Sequence, residues 1–344
     1  MKNKRSIMLI LLVAIFLYCC AGCSPNPDFV EKESFQMGTV ITERVYGDNA
    51  ENVAEQILNR MHRIEDNLSI NVKTSSISKL NSSGTSIHSE EIINILETAK
   101  KFSDISNGAF DVTIGPLVKE WGVFTENPRI PAKQRIAELL KLVDYKSIVI
   151  NKEEKTAKLK KDGQLIDLGG IAKGYAADEA VNICLQNGVK SAYINLGGNV
   201  SVVGTKPDGS PWRIGLQNPR GLEGEYIGIL NIVNKTVVTS GDYERYFIKG
   251  GVRYHHIIDP KTGYPSKSDL ISSTIVTDKS IEADALSTAT FVLGLERSKK
   301  LLSSLKGVEA VFVTKDKKIH VTDNLKKYFT FMDESGEYTY VEKG

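Results

Sequence analysis

The chain has 344 residues, 41% of them apolar and 25% charged, which are the proportions of an ordinary globular protein. Its 44 Lys and Arg outnumber its 42 Asp and Glu by two, but Lys2, Lys4 and Arg5 stand at the very start with no acid beside them, so the remainder balances at 41 to 42, about −1. A charge this close to zero gives no argument for a nucleic-acid partner.

The first residues read as a secretory signal. Three cations precede an uninterrupted apolar run over 7–18, too short for a membrane span of about 20 residues and right for the apolar heart of a signal peptide. Cys20-Ala-Gly-Cys23 follows and resembles a bacterial lipobox, with Cys20 where Leu is usual. Residues 1–22 are therefore expected to be removed, Cys23 to be lipidated, and 23–32, with Pro25 and Pro27, to form an extended tether. The plain alternatives are an ordinary cleaved signal or an uncleaved anchor. The expected location is the extracytoplasmic face of a membrane. Of four cysteines, two leave with the signal and one carries lipid; Cys184 is left alone, so no internal disulfide is expected. A chain of this size buries enough core to do without one.

Next, 33–46 alternates weakly, is rich in β-branched residues and predicts a strand. Apolar positions 53, 57, 61, 64 and 68 predict a helix over 52–68. Ser89-Glu-Glu91 caps a second helix over 89–103, and a third is predicted over 131–143. Short strands follow at 147–150, 156–159 and 164–168. A helix over 172–186 comes next, and then strands at 192–196, 200–203, 212–216, 227–233, 236–239, 246–248 and 252–258. Helices over 283–294 and 296–305 and strands at 310–314, 319–321 and 329–331 close the chain. Hairpin-linked strands with helices in blocks predict an α+β fold, a largely antiparallel sheet packed with helices. No linker-like composition interrupts 33–340, so one continuous domain is expected.

Several stretches have residues suited to chemistry. In Leu165-Ile-Asp-Leu-Gly-Gly-Ile-Ala-Lys-Gly-Tyr-Ala-Ala-Asp178 a strand turns on two glycines into a helix. Helix-start N–H groups favour anions, and glycine lets a phosphate approach. Tyr175 stands where a Walker A lysine would be, so this is not that loop. The plain reading is a strand-turn-helix with glycines for geometry. In Glu282-Ala-Asp-Ala-Leu-Ser-Thr288, Asp284 and Thr288 share a helical face. Carboxylate and hydroxyl suit magnesium or calcium rather than zinc. Read blandly, Asp284 is a cap and Thr288 bonds back along its own helix. In Tyr254-His-His-Ile-Ile-Asp-Pro-Lys-Thr-Gly263 the adjacent histidines face opposite sides of a strand. One of them can face a site; a hydrogen-bonded core histidine is the plain alternative. Asn107-Gly-Ala-Phe-Asp-Val-Thr-Ile-Gly-Pro-Leu-Val-Lys-Glu-Trp-Gly122 suggests a rigid loop, while Asn195-Leu-Gly-Gly-Asn199 and Thr239-Ser-Gly-Asp-Tyr243 are weaker signals.

Together with Met37-Gly-Thr39, these motifs occur in the order seen in the ApbE family, which the chain resembles over roughly 33–331. That family comprises FAD:protein FMN transferases, many of them lipoproteins, with a mixed α/β fold related to the T-fold. The resemblance implies Mg2+-dependent transfer of FMN from FAD to a Thr or Ser hydroxyl of a target protein by a phosphoester bond, with release of AMP. It implies Asp284, Thr288, the Gly170 carbonyl and, as in some members, Ser287 as metal ligands. It places Met37, Ala109, Phe110, Asp111, Asp167, Lys173 and Ile258 along FAD. Some members carry an aromatic on the flavin side near position 71, where this chain has Asn71. Lys173 and the glycine turn are expected to hold phosphates. His256 is expected to act as base or positioner of the target hydroxyl, because an ordinary histidine titrates near neutrality. The implied acceptor is a respiratory or electron-transfer subunit, or an extracellular flavoprotein. Two alternatives are hydrolysis of FAD to FMN and AMP, and flavin binding without catalysis.

Overall fold

The computed structural model describes residues 29–83 and 86–342; the expected signal, Cys23 and most of the expected tether lie outside them. The chain begins with a hairpin, β1 (Phe29–Gln36) and β2 (Thr39–Tyr46), followed by α1 (Ala50–Leu68), α2 (Ser76–Ser83), β3 (Ile87–His88) and α3 (Glu90–Ile105). Next come α4 (Gly115–Trp121), α5 (Lys133–Leu140), β4 (Ile148–Asn151), β5 (Thr156–Leu159) and α6 (Ala172–Gln186). The strands β6 (Ser191–Leu196), β7 (Asn199–Gly204), β8 (Trp212–Gln217), β9 (Tyr226–Ile232), β10 (Thr236–Gly241), β11 (Tyr246–Lys249), β12 (Val252–His255) and β13 (Leu270–Thr277) follow. The chain ends with α7 (Ser280–Leu293), α8 (Leu295–Leu302), β14 (Glu309–Thr314), β15 (Lys318–Val321), β16 (Phe329–Phe331) and β17 (Thr339–Val341).

The expected α+β architecture is present. A nine-stranded sheet runs β1-β2-β6-β7-β10-β13-β14-β15-β17. Its pairings are antiparallel except the last, β15 with β17. One face, with Ile41, Val45, Ile194, Val238 and Ile275, packs on apolar faces of α1, α3, α6 and α7. The other face, with Val200, Val202, Val237, Ile271 and Val311, packs on the small sheet β16-β9-β8 through Trp212, Ile214 and Leu230. Every residue of β13 is buried as a result. A satellite core joins α4 and α5 to the β11–β12 hairpin through Leu117, Trp121, Ile136, Phe247 and Tyr254.

One inward position breaks the apolar pattern. Glu43 on β2 is fully buried, and neither carboxylate oxygen has a hydrogen-bond partner. Burial pushes its carboxyl up to about 8 against the pull of Lys32.

Three expectations about elements need correction. The strand expected over 33–46 is a hairpin, since Met37 (φ 52°) and Gly38 (φ 70°) both take left-handed backbone and so form the two-residue turn that matches strand twist. The strand expected over 164–168 reduces to a single parallel bridge between Leu165 and Ile114. The Gly115-Pro-Leu-Val stretch, read as a loop, is the helix α4. Pro116 sits in its first turn, where its missing N–H costs nothing, and Gly122 (φ 62°) ends it.

Candidate functional site

Two helices make the centre of the site by approaching unusually closely. Gly174 is on the first turn of α6, where backbone N–H groups have no partner within the helix. A Cβ there would lie 2.3 Å from the Ser280 carbonyl oxygen, so only glycine permits this crossing of α6 and α7. The freed Gly174 N–H donates to Asp284 Oδ2 at 2.8 Å. The start of α7 is capped from α6 as well: Asp178 accepts from Ser280 N at 2.8 Å and Ile281 N at 3.0 Å. Asp284 is thus no cap. It lies inside its helix, buried, and burial pushes its carboxyl up, opposed by the Lys173 charge and the Gly174 N–H. The Asn199 amide also favours the ionised form, yet Asn199 Nδ2 is buried and completes no hydrogen bond.

Thr288, one turn along α7, is partly open to solvent. Gly170 stands against it: a methyl on Gly170 would sit 3.2 Å from Thr288 Oγ1 and 3.2 Å from Phe110 Cε2. One small region therefore holds a buried carboxylate, a hydroxyl and a glycine backbone. Among the described residues there is no cluster of three or more His, Cys, Asp or Glu to hold a metal. A cation here would have one carboxylate and otherwise neutral oxygens. That set fits Mg2+, which keeps waters and takes further ligands from a phosphate substrate.

Lys173 lies close enough to act on both Asp284 and His256. The two histidines do face opposite ways. His255 is a core residue: its Nε2 donates to the Ser266 carbonyl at 3.0 Å, and its ring meets Phe291 edge-on. His256 is half-buried, with Phe124 edge-on to it. Its Nδ1 lies 3.2 Å from the Arg245 carbonyl. A carbonyl only accepts, so the proton sits on Nδ1 and Nε2 keeps its lone pair. Burial, with the His255, Lys173 and Arg245 charges, pushes the imidazole down to about 4. The expectation of a ring titrating near neutrality does not hold for the free protein.

The sequence profile of the ApbE family matches residues 37–312. The chain belongs to the ApbE family. Its relatives include the FAD:protein FMN transferase of Treponema pallidum, 33% identical over 323 residues, covering 88% of this chain and 89% of the relative. The FAD:protein FMN transferase of Klebsiella pneumoniae is 34% identical over 300 residues, covering 86% and 93%. The crystal structure of the ApbE protein of Thermotoga maritima superposes with a TM-score of 0.82 at 35% identity, covering 88% of this chain and 99% of that one.

Of the residues singled out from sequence, the structure gathers Gly170, Lys173, Asp284 and Thr288, with Phe110 behind Gly170 and His256 near Lys173. Met37 enters by another route: Arg245 donates to the Gly38 carbonyl at 2.7 Å, tying the Met37-Gly38 turn to the segment that holds His256. Asp167 lies on the glycine-turn loop, its Oδ1 accepting from Gly169 N at 2.7 Å; burial raises its carboxyl. Asp111 is a staple of its loop, accepting from Thr113 N and Oγ1 and from Tyr145 N at 2.7–3.1 Å, and burial raises its carboxyl too. Ala109 and Ile258 are buried. Asn71 is exposed in the turn after α1. Ser287 is fully buried, its hydroxyl donating to the Asp284 carbonyl at 2.9 Å and meeting Ser240 Oγ at 2.8 Å. Asn199 and Ser240 were given no role from sequence. Both lay in motifs already noted, and only their contacts with Asp284, Ser287 and Thr288 pick them out.

Proposed function

We propose that this chain moves the FMN half of FAD onto a Thr or Ser hydroxyl of a target protein, using Mg2+ and releasing AMP. The supporting observation is the convergence of Gly170, Asp284 and Thr288 beside Lys173 and a neutral His256. Asp284, Thr288 and the Gly170 carbonyl would hold the metal, which when bound neutralises pyrophosphate charge. Lys173 supplies the positive charge for the phosphates, while the Gly174 N–H of the same turn stays with Asp284. The target hydroxyl oxygen forms a bond to the FMN phosphorus, the bond from that phosphorus to the bridging oxygen breaks, and AMP leaves with that oxygen. The hydroxyl proton passes to His256 Nε2. Bound pyrophosphate sets negative charge beside the ring and brings its pKa back up from about 4.

The test is to incubate the protein with FAD, MgCl2 and a candidate acceptor, and to follow AMP release and acceptor mass. Asp284→Ala should abolish both; full activity in that variant overturns the reading. AMP release unaffected by the acceptor, with no acceptor labelled, would identify hydrolysis instead. The acceptor we expect is an exported flavoprotein or an electron-transfer subunit. Lipidation of Cys23 would hold the enzyme at the membrane face that such acceptors reach. Among the described residues no helix is long and apolar enough to cross a membrane. Palmitate labelling that survived Cys23→Ala would refute the anchor.

A further inference from the structure

We propose that Ser240 is a positioning residue for the Thr288 hydroxyl, acting through an ordered chain of protons that runs Thr288 to Ser240 to Ser287 to the Asp284 carbonyl. The proposal rests on reading this cleft as the metal-bearing one.

The direction of the chain follows from its end. The Asp284 carbonyl can only accept, so at 2.9 Å the Ser287 hydroxyl spends its one proton there. Ser287 Oγ is then an acceptor toward Ser240 Oγ at 2.8 Å, and Ser240 spends its proton on Ser287. Ser240 in turn has only lone pairs left for Thr288 Oγ1, 3.4 Å away. Thr288 therefore points its proton at Ser240 and keeps its lone pairs free on the Gly170 side, where a cation needs them.

The same chain blocks the usual fate of a helical threonine. Such a hydroxyl tends to bond the carbonyl four residues back, which for Thr288 is that of Asp284. Ser287 already occupies it. Thr290 shows the default on the same helix, bonding Leu286 O at 2.6 Å. Ser240 is itself well fixed. It pairs with Ser273 near the end of β10, and two residues on, Asp242 is clamped by Arg220 at 2.7 and 2.8 Å. With both directions of its hydroxyl used inside the protein and no exposure to the cleft, Ser287 takes a positioning role too, in place of the ligand role carried over by resemblance.

The test is calorimetric titration of the full protein with Mg2+ alone, alongside AMP release from FAD as a function of Mg2+. Ser240→Ala should weaken Mg2+ binding about tenfold and raise the Mg2+ needed for half-maximal AMP release by the same factor, with the melting temperature of the metal-free protein unchanged. Ser240→Thr should restore binding. Ser287→Ala should weaken it similarly, and the double variant should lose little more, as links of one chain do. Wild-type Mg2+ affinity in Ser240→Ala, or a Ser240→Thr variant as weak as Ser240→Ala, overturns the inference. A wild-type protein that neither binds Mg2+ nor releases AMP overturns the reading of the cleft and this inference with it.

Discussion

Replacing Glu43 by Gln should make this protein more stable, by an amount that grows with pH. The carboxyl titrates at about 8 in the fold against an ordinary value of 4.5, because it lies inside the helix–sheet core with no hydrogen-bond partner for either oxygen. Between these values the folded protein keeps a proton that the unfolded chain has released. Stability from this group is therefore full below pH 4.5 and is lost as pH rises toward 8. Each pH unit in that interval costs about 1.4 kcal/mol, giving a penalty of about 3 kcal/mol at pH 7 and about 5 kcal/mol above pH 8. Gln keeps the shape and never ionises. Urea unfolding of both proteins from pH 5 to pH 9 isolates the effect, since every other titrating group cancels in the difference. The unfolding free energies should nearly coincide at pH 5 and separate steadily above it, by about 3 kcal/mol at pH 7. A difference that stayed constant across this range would refute the reasoning.

Gly174→Ala should damage stability and activity together. Its methyl meets the Ser280 carbonyl, an overpacking cost of about 1–3 kcal/mol, and moving α6 from α7 withdraws the N–H from Asp284, so AMP release should fall more than tenfold. Normal melting and turnover in that variant would contradict the close crossing. For His256, the acidic limb of kcat/KM, which reports the free enzyme, should lie well below pH 6.5, near 4, and the limb of kcat should lie higher once pyrophosphate is bound. A wild-type kcat/KM limb at 6.5 that disappears in His256→Gln would show the free ring to be an ordinary base.

How much of this was legible in the sequence depends on the range of the interaction concerned. The helical face of Asp284 and Thr288 is local and follows from a period of 3.6. The glycine turn at 169–170 and the opposed histidines are local too. The hairpin at Met37 was missed because a non-glycine residue with left-handed backbone looks like any strand residue. The helix at 115–121 was missed because Gly and Pro mark turns in most settings and only the first turn of a helix excuses Pro116. The bland alternative for Asp284 was also undecidable locally: its role as cap is excluded by Asp178, about 100 residues away in the chain. Nothing local marks Ser240 as a partner of Thr288, and although alternation along β2 puts Glu43 on the face of Ile41 and Val45, nothing in it shows that the carboxylate goes without a partner there.

The clasp between α6 and α7 also sets when the protein becomes competent. Gly174 and Asp284 are 110 positions apart, and the cap from Asp178 to Ser280 spans 102. A chain emerging from its N-terminus carries the glycine turn and Lys173 long before any carboxylate arrives opposite them. Until Ser280 and the residues after it are in place, Asp178 has no helix to cap and the first turn of α6 faces no acid. Truncation before that point removes the carboxylate and hydroxyl side of the cleft together with α7 and three strands of the main sheet. The two sides of the cleft come together in one late step, once Asp284 has followed Gly174 by 110 positions.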